Sequence, residues 1–195
     1  MFSKYTNYYS PLFLPKLRKK GDQMLNSKED LTLEQAQALL EDFAVRWLAH
    51  DGLWFQAIEQ KRGLDEAVEL DIEAWRKFTV IEAKRIMKFL NLPKDGGLDA
   101  LERALKFRLY AFINVQESSR PDDHTLIFHM KDCRVQSARK RKNMPDHPCK
   151  PVGEVEYSLF ASTIDPRIKT KCIACPPDPH PEEFYCGWQF TLVED

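Results

Sequence analysis

Glycine is scarce, at seven in 195 residues, too few for the turn-dense chain of a repeat-rich all-β fold. Long apolar runs are missing as well. No stretch approaches the roughly 18 to 20 consecutive apolar residues that a transmembrane helix needs. An excess of one charge is also lacking: 29 Lys and Arg against 30 Asp and Glu leave a formal net charge of -1. No global field therefore draws the chain to nucleic acid or to an anionic membrane. The N-terminus lacks the order of a secretory signal. Tyr8, Tyr9, Leu12, Phe13 and Leu14 precede the basic group Lys16, Arg18, Lys19 and Lys20, and Pro11 and Pro15 interrupt them. Residues 1–30 read as a poorly ordered arm. With no export signal a cytoplasmic location is expected, where structural disulfides are disfavoured. The five cysteines are odd in number, which fits poorly with complete pairing.

What is present is, first, a helical stretch over residues 31–120. Thr32 with Gln35 has the spacing of a capping box, followed by Leu33, Ala36, Leu39, Leu40, Phe43 and Trp47 at helical spacing. A second helix is expected from Asp51 to before Gly63, and a third from about Asp65 to Asn91, stopped by Pro93. After Asp95-Gly96-Gly97 a fourth is expected from Leu98 to about Glu117. The character changes at Ser118–Asp123, so residues 121–195 form a second, cysteine-rich α+β region. Thr125–Cys133 alternates like a half-buried strand. Val152–Thr163 fits both periods and is read as a helix. Ile168–Cys172 and Phe184–Val193 read as strands, the last placing Cys186 on the core side with Trp188 and Phe190. The expected fold is α+β, an N-terminal helical layer packed on a small antiparallel sheet.

All five cysteines fall between positions 133 and 186. Cys172-Ile173-Ala174-Cys175 is a C-x2-C pair, the spacing that lets two thiolates grip one ion from a tight turn. With His180 and Cys186 it gives C-x2-C-x4-H-x5-C, close to a zinc-knuckle spacing. Cys133 and Cys149 are further candidate ligands. Zinc is the expected ion, because thiolate and imidazole suit it, and an iron–sulfur cluster is the alternative. Buried, inert thiols are the competing reading. Between Cys133 and Cys149 lie Arg134, Arg139, Lys140, Arg141 and Lys142. Nearby cations lower a thiol's pKa, which would make Cys133 a candidate nucleophile. The same run read alone is a solvated loop. It has no interleaved aromatics to stack bases, so nucleic acid is disfavoured as a partner.

The third helix carries an anomaly on its apolar stripe: Leu64, Val68, Asp71, Trp75, Phe78, Glu82, Ile86 and Phe89 share a face. A carboxylate at a core position must be paired, protonated or turned to a water-filled cavity. One reading is an internal salt bridge, with Arg85, Arg108 or Arg46 as partner. The other is a ligand pocket lined by Trp54, Glu59 and Trp75, with Asp71 and Glu82 available for acid–base work.

Several of these residues carry a resemblance. Asp51–Glu59, Asp71 with Trp75, Glu82–Ile86, Cys133–Gln136, Pro148-Cys149-Lys150 and Cys172–Asp178 resemble a bacterial family labelled only "cytosolic protein", over about residues 30 to 193. That label implies no activity. The layout is also distantly similar to two better-described families. L-2-amino-thiazoline-4-carboxylic acid hydrolases share a helical first half and a C-terminal cysteine before an aromatic strand, here Cys186–Phe190. The 4-vinyl reductase domain, a small-molecule-binding module of TRAPP-like fold, has an order of strand, cysteines, helix and cysteine hairpin like that of Cys133, Cys149, Gly153 and Cys172–Cys186. The second resemblance implies a TRAPP-like fold and a homodimer. The extra C-x2-C departs from the hydrolase pattern.

Three functions are therefore expected, in this order. The first is a small-molecule-binding or sensing protein with a cysteine-rich, metal-competent site. The second is a hydrolase of a small heterocycle or amide, using Cys133 or a metal-bound water with Asp71 or Glu82. The third is a zinc-knuckle-like nucleic-acid binder.

Overall fold

A computed structural model describes residues 25–141 and 143–194 of the chain. The arm expected at residues 1–30 lies almost wholly outside the described residues; its last part, Lys28–Asp30, forms a 3-10 turn.

The first helix, α1, runs unbroken over Leu33–Arg62. Thr32 caps it as expected: Gln35 N donates to Thr32 Oγ1 at 3.2 Å, and Thr32 N donates to Gln35 Oε1 at 2.9 Å. The break expected before Asp51 does not occur. Val45, Leu48, Ala49, Gly52, Phe55 and Glu59 continue one face straight through Gly52, and a single glycine costs a helix only about 1 kcal/mol. Gly63, at φ 96°, makes the turn into α2, Leu64–Leu90. Asn91, at φ 51°, closes α2 in the left-handed conformation before Pro93.

The expected fourth helix is cut short. Helix α3 covers only Gly97–Leu105, burying Leu98, Leu101 and Leu105. Leu109–Phe112 tightens into a 3-10 turn, and Val115–Asp122 is a strand, β1. It pairs antiparallel with β2, Thr125–Asp132. The expected boundary at 118–123 thus falls inside β1 and its hairpin turn. After β2 come α4 (Arg134–Lys140), α5 (Lys150–Ile164), β3 (Ile168–Ala174) and β4 (Cys186–Leu192). The four strands form one antiparallel sheet in the order β1-β2-β4-β3.

The fold is α+β, with helices layered on one antiparallel sheet. Leu126, Phe128 and Met130 of β2 and Trp188 and Phe190 of β4 are buried under Phe160, Ala161 and Ile164 of α5 and Leu101 and Leu105 of α3. Helix α2 packs along α5, and α1 packs on α2. One core therefore unites the residues expected in two regions. Among the described residues no helix is long and apolar enough to cross a membrane.

The stripe on α2 is resolved by a buried ion-pair group. Arg108, 2% exposed, donates through Nε to Glu82 at 2.9 Å and places Nη2 2.6 Å from Glu156. Leu109 N adds a hydrogen bond to Glu82 at 3.3 Å. Burial works against the charged guanidinium, but the carboxylates of Glu156 and Glu82 outweigh it and keep Arg108 protonated. Glu82 thus sits in an internal salt bridge with Arg108, the first of the two readings of the stripe. It shares a helical face with Asp71 but lies eleven residues further on, about 16 Å along the axis.

Candidate functional site: a cavity between the helical layer and the cysteines

A cavity of about 370 Å³ opens where α1 and α2 face α4, α5 and the ends of β2 and β4. Helix α1 contributes Asp51, Phe55 and Glu59, and α2 contributes Asp71 and Trp75 one turn apart. Tyr110, from the 3-10 turn, stacks on Trp75 with ring centroids 5.8 Å apart and planes at 18°. The α5 side supplies Glu156, Tyr157 and Gly153, with the Trp188 indole of β4 stacked on Tyr157 at 4.6 Å. Gly153 is required for that fit, since a Cβ there would lie 2.7 Å from Trp188 Cζ2.

The same cavity is lined by four of the five cysteines: Cys133, Cys149, Cys175 and Cys186. Cys133 ends the β2 segment, and Cys186 sits opposite Met130 in the β2–β4 ladder. Cys149 is brought in by Gln136, a buried α4 residue that the sequence reading left in a solvated loop. Gln136 Nε2 donates to His147 O at 2.9 Å and lies 3.2 Å from Cys149 Sγ, while His147 N donates to Gln136 Oε1 at 2.8 Å. The basic run thus forms a helix whose Val135 and Ala138 face the cavity.

The sequence-derived ligand set separates at this point. Asp71, Glu59 and Trp75 meet the cavity. Trp54, expected beside them, is 67% exposed, because it precedes Phe55 by one residue and so points about 100° away on the helix. Cys172 and His180 do not line the cavity. Cys172 lies within β3 and Cys175 just beyond its end, so the pair is drawn out along extended backbone instead of folded into an ion-gripping turn. His180 Nε2 lies 3.3 Å from Asp146, and its Nδ1 2.8 Å from Pro181 O. No group of three or more His, Cys, Asp or Glu side chains among the described residues is arranged to hold a metal ion. The donor set expected for zinc or an iron–sulfur cluster does not fit this arrangement.

Electrostatics inside the cavity are set by burial. The Asp71 carboxyl is pushed up to about 7, first by burial and then by the negative charges of Asp51 and Glu156, with a hydrogen bond from Trp75 opposing. Burial also raises Asp51, against the pull of its neighbour His50. Burial pushes Cys133 up to about 11 and raises Cys149 well above the ordinary thiol range. The basic run was expected to lower Cys133, but burial dominates and the only opposing influences are hydrogen bonds from the backbone of Gln136 and Val135, which disfavours the thiolate that a nucleophile needs. His147 is lowered to about 4 by burial and by Arg139, and is neutral. The wall therefore presents thiols, a neutral imidazole and aromatic rings, with carboxylates gathered at the α1–α2 side and Arg134, Arg139 and Arg141 on the α4 side.

Asp51, Tyr110, His147, Glu156 and Tyr157 were not singled out in the sequence as cavity residues. Asp51, Tyr110, Glu156 and Tyr157 belong to segments expected to be helical, and nothing local marks any of the five as lining a cavity. No curated protein and no solved structure matches the chain, so the resemblances to thiazoline hydrolases and 4-vinyl reductase domains gain no support there. The family model described as "Family of unknown function (DUF6125)" matches residues 28–192, and the chain belongs to that family.

Proposed function

We propose that this protein binds a small molecule in the cavity between its helical layer and its cysteines. The observation that carries the reading is convergence. One space of about 370 Å³ gathers Asp71 and Trp75 of α2, Asp51 of α1 and four cysteines from the other half of the chain. Ligand pockets span roughly 300–1,000 Å³ and combine apolar walls with a few placed polar groups. Cysteine side chains suit such a wall as soft, weakly polar contacts. A reducing, cytoplasmic setting would keep all five free, as they are here.

The test is thermal stabilisation by a chemically diverse set of small molecules, comparing the wild type with Ala138→Trp, which fills the cavity from α4. Compounds that raise Tm in the wild type and lose the effect in Ala138→Trp support the reading. Stabilisation that persists unchanged in the filled variant would place the ligand elsewhere.

A second reading, hydrolysis of a small amide or heterocycle, is favoured by one observation. Asp71 titrates near 7 in a cavity, where a carboxyl can exchange protons at physiological pH. Burial raises the Cys133 and Cys149 thiols, which disfavours either as its nucleophile. Turnover lost in Asp71→Asn with ligand binding retained would support it over binding alone.

A further inference from the structure

We propose that the cavity selects a small organic cation, a protonated amine on an apolar or aromatic frame, held at its Asp51–Asp71 side. This rests on the ligand-binding reading above and adds the chemistry of the ligand.

The first ground is how the fold treats its other buried carboxylates. Glu82 and Glu156 share Arg108. Asp165, fully buried, is held by Arg167 at 2.7 Å and accepts from Gly97 N at 2.9 Å. Asp51, Glu59 and Asp71 line the cavity without a basic side chain in ion-pair contact among the described residues. The charges acting most strongly on Asp71 are those of Asp51 and Glu156, both negative. Like charge in a partly desolvated space is relieved by protonation of Asp71 or, above pH 7, by a cation that enters with the occupant. Arg134, Arg139 and Arg141 also line the cavity, on the α4 side that faces α1 and α2; none of them is in ion-pair contact with Asp51 or Asp71, and Arg139 Nε donates to Pro145 O at 2.6 Å while its charge acts on His147.

The second ground is the surface beside that pair. Trp75 lies one turn from Asp71 and is stacked with Tyr110, so the carboxylates adjoin aromatic rings. An ammonium is attracted to the faces of such rings, more strongly as water is excluded.

The experiment is calorimetric titration at pH 8 with 4-methoxyphenethylamine, its neutral isostere 2-(4-methoxyphenyl)ethanol and the anion 3-(4-methoxyphenyl)propionate. The amine is expected to bind at least about tenfold more tightly than the alcohol, and the anion more weakly than either. Asp71→Asn should weaken the amine about tenfold and leave the alcohol unchanged. Asp51→Asn serves as the second variant if the first perturbs folding. Equal binding of amine and alcohol, or amine affinity indifferent to both substitutions, overturns the cation proposal while leaving the pocket itself standing. Amine binding that survives in Ala138→Trp overturns both.

Discussion

Arg108 Nη2 lies 2.6 Å from the Glu156 carboxylate, both side chains being less than a tenth exposed. This contact ties the turn after α3 to α5, and Glu82 adds α2 to the same guanidinium. Removing one member of a buried ionic group leaves uncompensated charge in the interior, which costs about 3–5 kcal/mol. Arg108→Ala should therefore lower the urea midpoint strongly, whereas exchanging an exposed pair such as Lys106–Glu102 should change stability by less than about 1 kcal/mol. Equal effects of the two would mean that Arg108 is not buried as described.

The pH dependence of stability should carry the signature of Asp71. Its carboxyl titrates at about 7 when folded and at 3.8 ordinarily. Between those values the folded chain holds a proton that the unfolded chain has lost. Stability from this group must then fall as pH rises from about 4 to about 7 and level off above. Asp71→Asn should remove that slope and stabilise the protein at pH 8 by roughly 1–3 kcal/mol. A variant as pH-sensitive as the wild type would contradict the burial and crowding of charge at this position.

Two glycines should respond in opposite directions. Gly153→Ala drives a methyl group against Trp188, which is fixed by its stack on Tyr157, and should cost about 1–3 kcal/mol and alter tryptophan fluorescence. Gly52→Ala meets nothing within 4 Å inside a continuous helix, and should gain up to about 1 kcal/mol. Denaturant melts of both variants check the pair.

Thiol reactivity should be low in the folded state. A thiol at about 11, as for Cys133, has about a hundredth of the thiolate at pH 8 of one at 9. Iodoacetamide should label Cys133 and Cys149 slowly in native protein and all five cysteines readily in urea, read by peptide mass. Rapid native alkylation of Cys133 would restore it as a nucleophile.

The legibility of this chain divides along a physical line. Helix α2, the strands β2, β3 and β4 and the cap at Thr32 were readable because each has a strong local period or a paired capping signal. Strand β1 was not, since Gln116–Asp122 is polar and earns its place by pairing with β2 at an edge of the sheet. Helix α4 was hidden because charge dominates it, and Gln136, its one buried polar side chain, matters through contacts eleven and thirteen residues away. Asp71 was legible as a carboxylate on an apolar stripe. The same pattern marked Glu82, and only the tertiary position of Arg108 separates the paired residue from the one left facing a cavity. Likewise the C-x2-C spacing named Cys172 and Cys175 together, but a strand between them sends their side chains to different surroundings.

The central claim is that a ligand occupies the space between Asp71 and the cysteines, and amide hydrogen exchange with and without a stabilising compound tests it most directly. Protection is predicted in peptides covering residues 51–59, 71–75, 133–138 and 147–157, the segments that line the cavity. Protection confined to the exposed apolar surface of Leu40, Phe43 and Phe107, with the cavity segments exchanging as before, would contradict it.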